Sequence, residues 1–129
     1  MAANSWLLDT SILVDLMRGS QSARDWIDSI PQEGRAISVI TAAELLAGCR
    51  NRSEQRAVER ELGNYEILWL SEEISASALE YYKQFHLSHN IAFFDCLIAS
   101  TALKSELRLA TLNLKHFLPF QSLQARKPY

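Results

Sequence analysis

The chain is poor in cysteine, with two in 129 residues, and has neither the density nor the spacing of a disulfide framework or a cysteine-rich zinc site. Cys49 and Cys96 sit in apolar or helical contexts and read as free buried thiols. Charge of one sign is also scarce. A formal net charge of −2 gives no global attraction to nucleic acid, so any such binding needs a local basic patch or a groove made by a dimer. No uninterrupted apolar run approaches the roughly 20 residues that span a bilayer. The opening residues lack the basic, apolar and small-residue order of a signal sequence. A cytoplasmic, reducing compartment without a membrane partner is therefore expected. Glycine and proline are few, four and three, and no repeat, low-complexity run or linker interrupts the chain.

What is present is 48% hydrophobic content, which at this length predicts one compact domain over 1–129. Trp6 to Leu8 reads as a short buried strand, and Ser11 to Met17 as a helix that Gly19 and Ser20 close. A second helix is predicted over Ser22 to Ile30, ended by Pro31 and Gly34, and a second strand over Ala36 to Ile40. Thr41 to Gly48 and Ser53 to Leu62 read as a helical hairpin whose second arm is mostly solvated. Glu66 to Leu70 predicts a third strand. Ile74, Ala78, Tyr81 or Tyr82 and Phe85 then recur at helical spacing, and Asp95 opens a further helix to about Ser105. Small residues at Ala99, Ser100 and Ala102 suit that helix to close packing on a sheet. Leu107 to Thr111 predicts the fourth strand, Leu123 and Gln124 an edge strand, and Arg126 to Tyr129 a disordered tail.

Strands alternating with helices predict an α/β fold with a parallel sheet, which collects strand carboxyl ends and helix amino ends on one edge. Three isolated carboxylates, Asp9, Glu44 and Asp95, stand where an apolar run gives way to a helix. Gathered on that edge they repel one another, and a divalent cation together with helix dipoles is the natural compensation. An all-oxygen donor set without nearby His or Cys fits Mg²⁺ or Mn²⁺ and argues against zinc. Such an ion supports phosphodiester hydrolysis by activating water and stabilising charge on phosphorus oxygens, with no covalent protein nucleophile. Helix capping competes with this reading at each residue. Asp9, Asp95 and Asn113 are good caps, and Thr41-x-x-Glu44 has the form of a capping box. Only convergence of the three acids favours catalysis.

Four segments in order, Leu8-Asp9-Thr10-Ser11-Ile12, Ser38 to Gly48 around Glu44, Asp95-Cys96-Leu97-Ile98-Ala99 with Ala102, and Thr111-x-Asn113-x-x-x-Phe117, span nearly the whole chain. Together they resemble the PIN-domain ribonucleases, and among them the small VapC-type toxins of prokaryotic toxin-antitoxin pairs. The resemblance implies a three-layer α/β/α domain with a central, mostly parallel sheet of four to five strands. It implies a metal-dependent endoribonuclease in which Asp9, Glu44 and Asp95 are catalytic metal ligands, supported by Thr10 or Ser11, with Thr111 and Asn113 completing the site. It further implies a homodimer, an RNA substrate such as tRNA or a ribosomal RNA loop, and a cognate VapB-type antitoxin covering the active-site groove. The family often places a further acid near Asn113. An amide there either reaches water on the metal or caps a helix, and leaves one well-held ion as the expectation.

Two other functions compete. A phosphoaspartyl transferase is disfavoured because Asp9 has no Asp-x-Asp partner and Asp95 no adjacent second acid. A catalytically impaired PIN-like module that binds RNA or protein remains open on account of Asn113. The remaining candidates carry weaker readings. His86, His89 and His116 offer imidazoles but read as surface or interface residues. Arg50, Arg52, Arg56 and Arg60 read either as phosphate contacts or as an ordinary solvated face among Glu54, Glu59 and Glu61. Trp6, Trp26, Trp69, Phe93 and Phe94 read as core or dimer packing before base stacking. Asp15 reads as an exposed helix charge, and Lys104, Arg108 and Lys115 as residues placed to touch substrate.

Overall fold

The computed structural model describes residues 5–129; the first four, part of the span read as one domain, lie outside the described residues. Trp6-Leu7-Leu8 forms β1 (Trp6–Leu8) at the centre of a five-stranded sheet, in the order β3-β2-β1-β4-β5. Its neighbours are β2 (Arg35–Ser38) and β4 (Arg108–Ala110), and β3 (Glu66–Leu68) and β5 (Ala125–Arg126) form the edges. Every pairing is parallel, with Leu7 opposite Ala36 on one side and Leu109 on the other.

Period-two alternation sends adjacent strand residues to opposite faces. Leu7, Ala36 and Leu109 join one core with Ala78, Ile98 and Phe117. Their successors Leu8, Ile37 and Ala110 join a second core with Ile12, Leu13, Ile27 and Val58. Both faces are therefore covered, as an all-parallel sheet requires. The first face carries α5 (Glu72–His89) and α6 (Phe93–Lys104); the second carries α1 (Thr10–Met17), α2 (Gln21–Asp28), α3 (Val39–Ala47) and α4 (Arg52–Leu62). This is the expected three-layer arrangement. Residues Cys96 to Ala102 are all buried, so α6 is wedged into the interior by its small side chains. Among the described residues, no helix is long and apolar enough to cross a membrane.

Several boundaries differ from the sequence expectation. The strand predicted over Ala36 to Ile40 ends at Ser38, whose hydroxyl accepts from the Ile40 N–H at 3.0 Å and turns Val39 and Ile40 into α3. Thr41 and Glu44 consequently lie inside the helix and form no capping box. Asp95 is the third residue of α6 and does not open it. The third strand stops at Leu68, and Trp69 is 68% exposed. The edge strand falls at Ala125–Arg126, although the Gln124 carbonyl already accepts from the Leu109 N–H at 2.8 Å. The tail is not disordered: Arg126 belongs to β5, and the Tyr129 hydroxyl donates to Asp15 Oδ2 at 2.7 Å.

Candidate active site

The strand order reverses at β1, from which the chain winds first through β2 and β3 and later through β4 and β5. A crevice beyond the carboxyl ends of β1 and β4 follows from that reversal, and open α/β sheets bind ligands there. Asp9 directly follows β1 and Thr111 directly follows β4, and the Asp9 N–H donates to the Ala110 carbonyl at 2.9 Å.

Asp9 is 4% exposed, and although it stands at the N-cap of α1 its side chain makes no capping bond. Oδ2 instead accepts two hydroxyls, from Ser11 at 2.8 Å and Thr111 at 2.7 Å. Each hydroxyl is itself oriented by a backbone donor, the Leu112 N–H on Ser11 Oγ at 3.1 Å and the Asn113 N–H on Thr111 Oγ1 at 2.9 Å. Two short relays thus converge on one oxygen and fix the rotation of the carboxylate. Among the described residues, no hydrogen-bond donor reaches Oδ1.

Glu44 is exposed on α3 and is oriented from across the edge. Thr10 Oγ1 donates to Glu44 Oε1 at 2.7 Å and lies 2.9 Å from Thr41 Oγ1. A hydroxyl has one proton. Because Thr10 gives its own to the carboxylate, buried Thr41 is the donor in the second contact. Of the two supports expected for Asp9, Ser11 fills that role and Thr10 serves Glu44.

Asp95, its side chain 20% exposed, faces the same space from α6, with Oδ2 3.4 Å from Nδ1 of His116. Burial pushes its carboxyl above the ordinary value; His116 opposes the shift, and the charges of Asp9 and Glu44 add to it. The three acids therefore feel one another, and all line one cavity of about 550 Å³. Asn113 lies at its rim, exposed, with no side-chain capping bond to the 3-10 turn Leu114–Phe117. Among the described residues no group of three or more His, Cys, Asp or Glu is arranged as a ready cage for an ion. The donors are nonetheless carboxylate oxygens in a partly open pocket. That set suits a hard cation that keeps several waters better than a closed zinc centre.

Other candidates are sorted by position. Arg108 begins β4, at the opposite end of the strand from Thr111, with its guanidinium 3.9 Å from the Trp6 ring centroid. Lys104 pairs with Glu73 at 3.1 Å. Lys104 ends α6 and Arg108 begins β4, and neither lines the acidic cavity, whereas Lys115 stays beside the site in a groove with Asn113 and His116. Arg50 pairs with Glu54 at 2.7 Å on a solvated face. Trp6 packs edge-on to Trp26, and Phe93 to Tyr82, whereas Phe94 is 52% exposed at the mouth of the acidic cavity. His86 stacks on Tyr82 and His89 lies against Phe85, along α5. His116 is at the surface as expected, its side chain 56% exposed, but sequence reasoning missed its contact with Asp95. Its only signal was its position three residues after Asn113. Asp15 and Arg18 also line the cavity, along one face of α1.

Residues 6–117 match the PIN domain family, and the chain belongs to it. It is 40% identical over 120 residues to Ribonuclease VapC10 of Mycobacterium tuberculosis, covering 92% of this chain and 90% of that protein. It is 34% identical to Ribonuclease VapC19 of the same organism, covering 92% and 96%. Among solved structures it is similar to a toxin-antitoxin complex from Klebsiella pneumoniae, with TM-score 0.82, 27% identity and coverage of 97% and 98%. VapBC-1 from nontypeable Haemophilus influenzae superposes with TM-score 0.78 at 27% identity, covering 94% and 96%.

Proposed function

We propose that residues 1–129 act as one PIN-like domain, a divalent-cation-dependent endoribonuclease toxin that cuts RNA by hydrolysis and is neutralised by a VapB-type antitoxin. The observation that carries this reading is the convergence of Asp9, Glu44 and Asp95 on one cavity, with the Asp95 carboxyl raised by burial first and further by the charges of the other two. The ribonuclease names of the two mycobacterial relatives and the antitoxin partners of the similar complexes support it. Helix capping, the competing explanation, has lost its grounds at Asp9, Glu44 and Asn113, none of which caps a helix with its side chain.

Asp9, Glu44 and Asp95 would hold the cation, Mg²⁺ or Mn²⁺, and one ion is proposed because Asn113 brings no charge. When bound, such an ion supplies Lewis acidity, stabilising negative charge on a phosphodiester and making nearby water more acidic. Ser11 and Thr111 hold Asp9 in register, and Thr10 aims Glu44. Phe94 and Asn113 form the rim against which a base and a sugar-phosphate would rest. A cytoplasmic homodimer completes the proposal.

The test is sequencing of RNA ends after brief induction of wild-type protein and of Asp95→Asn. New ends confined to wild type are expected, together with growth arrest relieved by a co-expressed antitoxin encoded beside the toxin. Identical end profiles for the two proteins would favour the impaired binding module instead.

A further inference from the structure

Ser11, Val14, Asp15 and Arg18 follow one another at i, i+3, i+4 and i+7, so a single face of α1 makes one wall of the acidic cavity. Arg18 stands at the far end of that wall, about 10 Å along the helix axis from Ser11 at 1.5 Å per residue. Gly19, with φ +94°, turns the chain away immediately afterwards and leaves Arg18 as the helix C-cap. A second groove of about 600 Å³, walled by α1, α3 and α4, shares Val14, Arg18 and Glu44 with the acidic cavity. Arg18 therefore sits on the saddle between two grooves.

Arg18 is exposed there. Asp15 lies three residues earlier on the same face, the spacing at which an Asp–Arg pair ordinarily closes on a helix. Among the described residues, however, no carboxylate forms an ion pair with Arg18. Asp15 Oδ2 instead accepts the Tyr129 hydroxyl at 2.7 Å. That bond orients the Asp15 carboxylate toward the segment following β5.

We infer that Arg18 binds a phosphate of the RNA strand flanking the one cut at Asp9, Glu44 and Asp95, and that Tyr129 keeps Arg18 available by engaging Asp15. The inference rests on the ribonuclease reading. A planar guanidinium with five donors matches two phosphate oxygens. About two and a half helical turns along from Asp9, at the far end of the wall, it is placed for a phosphate neighbouring the reacting one. Arg18 is a substrate contact, whereas Tyr129 and Asp15 are positioning residues acting through it.

The experiment compares the full chain with Arg18→Gln, Arg18→Lys, Tyr129→Phe and the double variant Tyr129→Phe/Asp15→Asn. Binding of a fluorescein-labelled single-stranded oligoribonucleotide is measured in EDTA across a salt series, and kcat and KM are measured in Mg²⁺. Arg18→Gln is expected to weaken binding about tenfold at low salt and to flatten the log affinity against log salt slope by about 0.7, the value for one phosphate contact on a single strand. The loss should appear in KM, and Arg18→Lys should keep the slope. Tyr129→Phe should weaken binding about threefold by freeing Asp15 to close on Arg18, and adding Asp15→Asn should restore it. A purely structural role for Tyr129 would not be rescued by that second change. An unchanged salt slope in Arg18→Gln, with wild type still cleaving RNA, overturns the Arg18 assignment and leaves the ribonuclease reading standing. Failure of the double variant to recover overturns the role of Tyr129. A folded wild type that neither binds nor cleaves RNA overturns both the inference and the reading beneath it.

Discussion

Thr111→Val removes the hydroxyl that joins the end of β4 to Asp9 while keeping the side-chain volume. Thr111 is fully buried, and its hydroxyl donates to Asp9 Oδ2 at 2.7 Å while accepting the Asn113 N–H at 2.9 Å. A hydrogen bond to a buried charge contributes about 1.5–3 kcal/mol, and the neutral backbone bond about 0.5–1 kcal/mol because exposed Asn113 regains part of it from water. Asp9 retains Ser11, so the expected net cost is about 2–3 kcal/mol. For a chain of this length that corresponds to a fall in Tm of about 8–12 °C. Thr111→Ser is the control, since it keeps both hydrogen bonds and loses one buried methyl, worth about 1 kcal/mol. Urea unfolding at pH 7 with an unchanged m-value reads the difference directly. RNA cleavage by Thr111→Val should fall about 10–100-fold, as for loss of a group that orients a metal ligand. If valine costs no more than serine, the Asp9–Thr111 bond does not carry the charge interaction assigned to it, and the account of how Asp9 is held is wrong.

Asp95→Asn should raise Tm in EDTA at pH 7, because it removes a partly buried charge that Asp9 and Glu44 repel; a lower Tm would contradict the mutual repulsion, and the variant should also lose any stabilisation by added Mn²⁺. Glu61 is held below the usual carboxylate range: burial raises it, but Arg24 and the Tyr65 hydroxyl, each at 2.8 Å, together with Asn64, outweigh burial. Its contribution is therefore present above the unfolded value of about 4.3 and is lost as pH falls through the folded value. Glu61→Gln should cost about 1 kcal/mol at pH 7, discounted for the partly exposed Arg24, and the stability difference between variant and wild type should shrink as pH falls below about 4.3. Burial, and secondarily the charge of Asp95, pushes the Cys96 thiol up to about 11. Peptide mass mapping should find Cys49 alkylated well before Cys96 at pH 8, and equal rates would show that α6 opens freely.

The elements were legible wherever hydrophobic periodicity was strong. Leu7 and Leu8 between a polar start and Asp9 mark a strand buried on both faces, and Ile74, Ala78 and Phe85 mark α5. Periodicity failed at Val39 and Ile40, β-branched residues that prefer strands, because the Ser38 hydroxyl captured the Ile40 N–H and began a helix. The tail was misread for a related reason. Arg126 to Tyr129 carries little apolar signal of its own, and its order comes from pairing with β4 and from Asp15, 114 residues away in sequence. Partners so distant leave no local pattern.

By itself, the sequence determined the alternation of strands and helices, hence a parallel sheet with one functional edge, and placed Asp9, Glu44 and Asp95 close to the ends that reach it. Those are consequences of local spacing and of the rule that crossovers return strand ends to the same side. Tertiary structure decided which side chains each acid meets there. Capping and ligation demand the same residue types at nearly the same positions, and only the three-dimensional partners separate them: Ser11 and Thr111 on Asp9, Thr10 on Glu44, His116 on Asp95. Hydrogen bonds and ion pairs act over a few ångströms of space without regard to the length of chain between them. That is why the carboxylates and the hydroxyls of Thr10, Ser11 and Thr111 could be named from sequence, while the assignment of each hydroxyl to its acid, and the contact of His116 with Asp95, emerged only when the chain was folded.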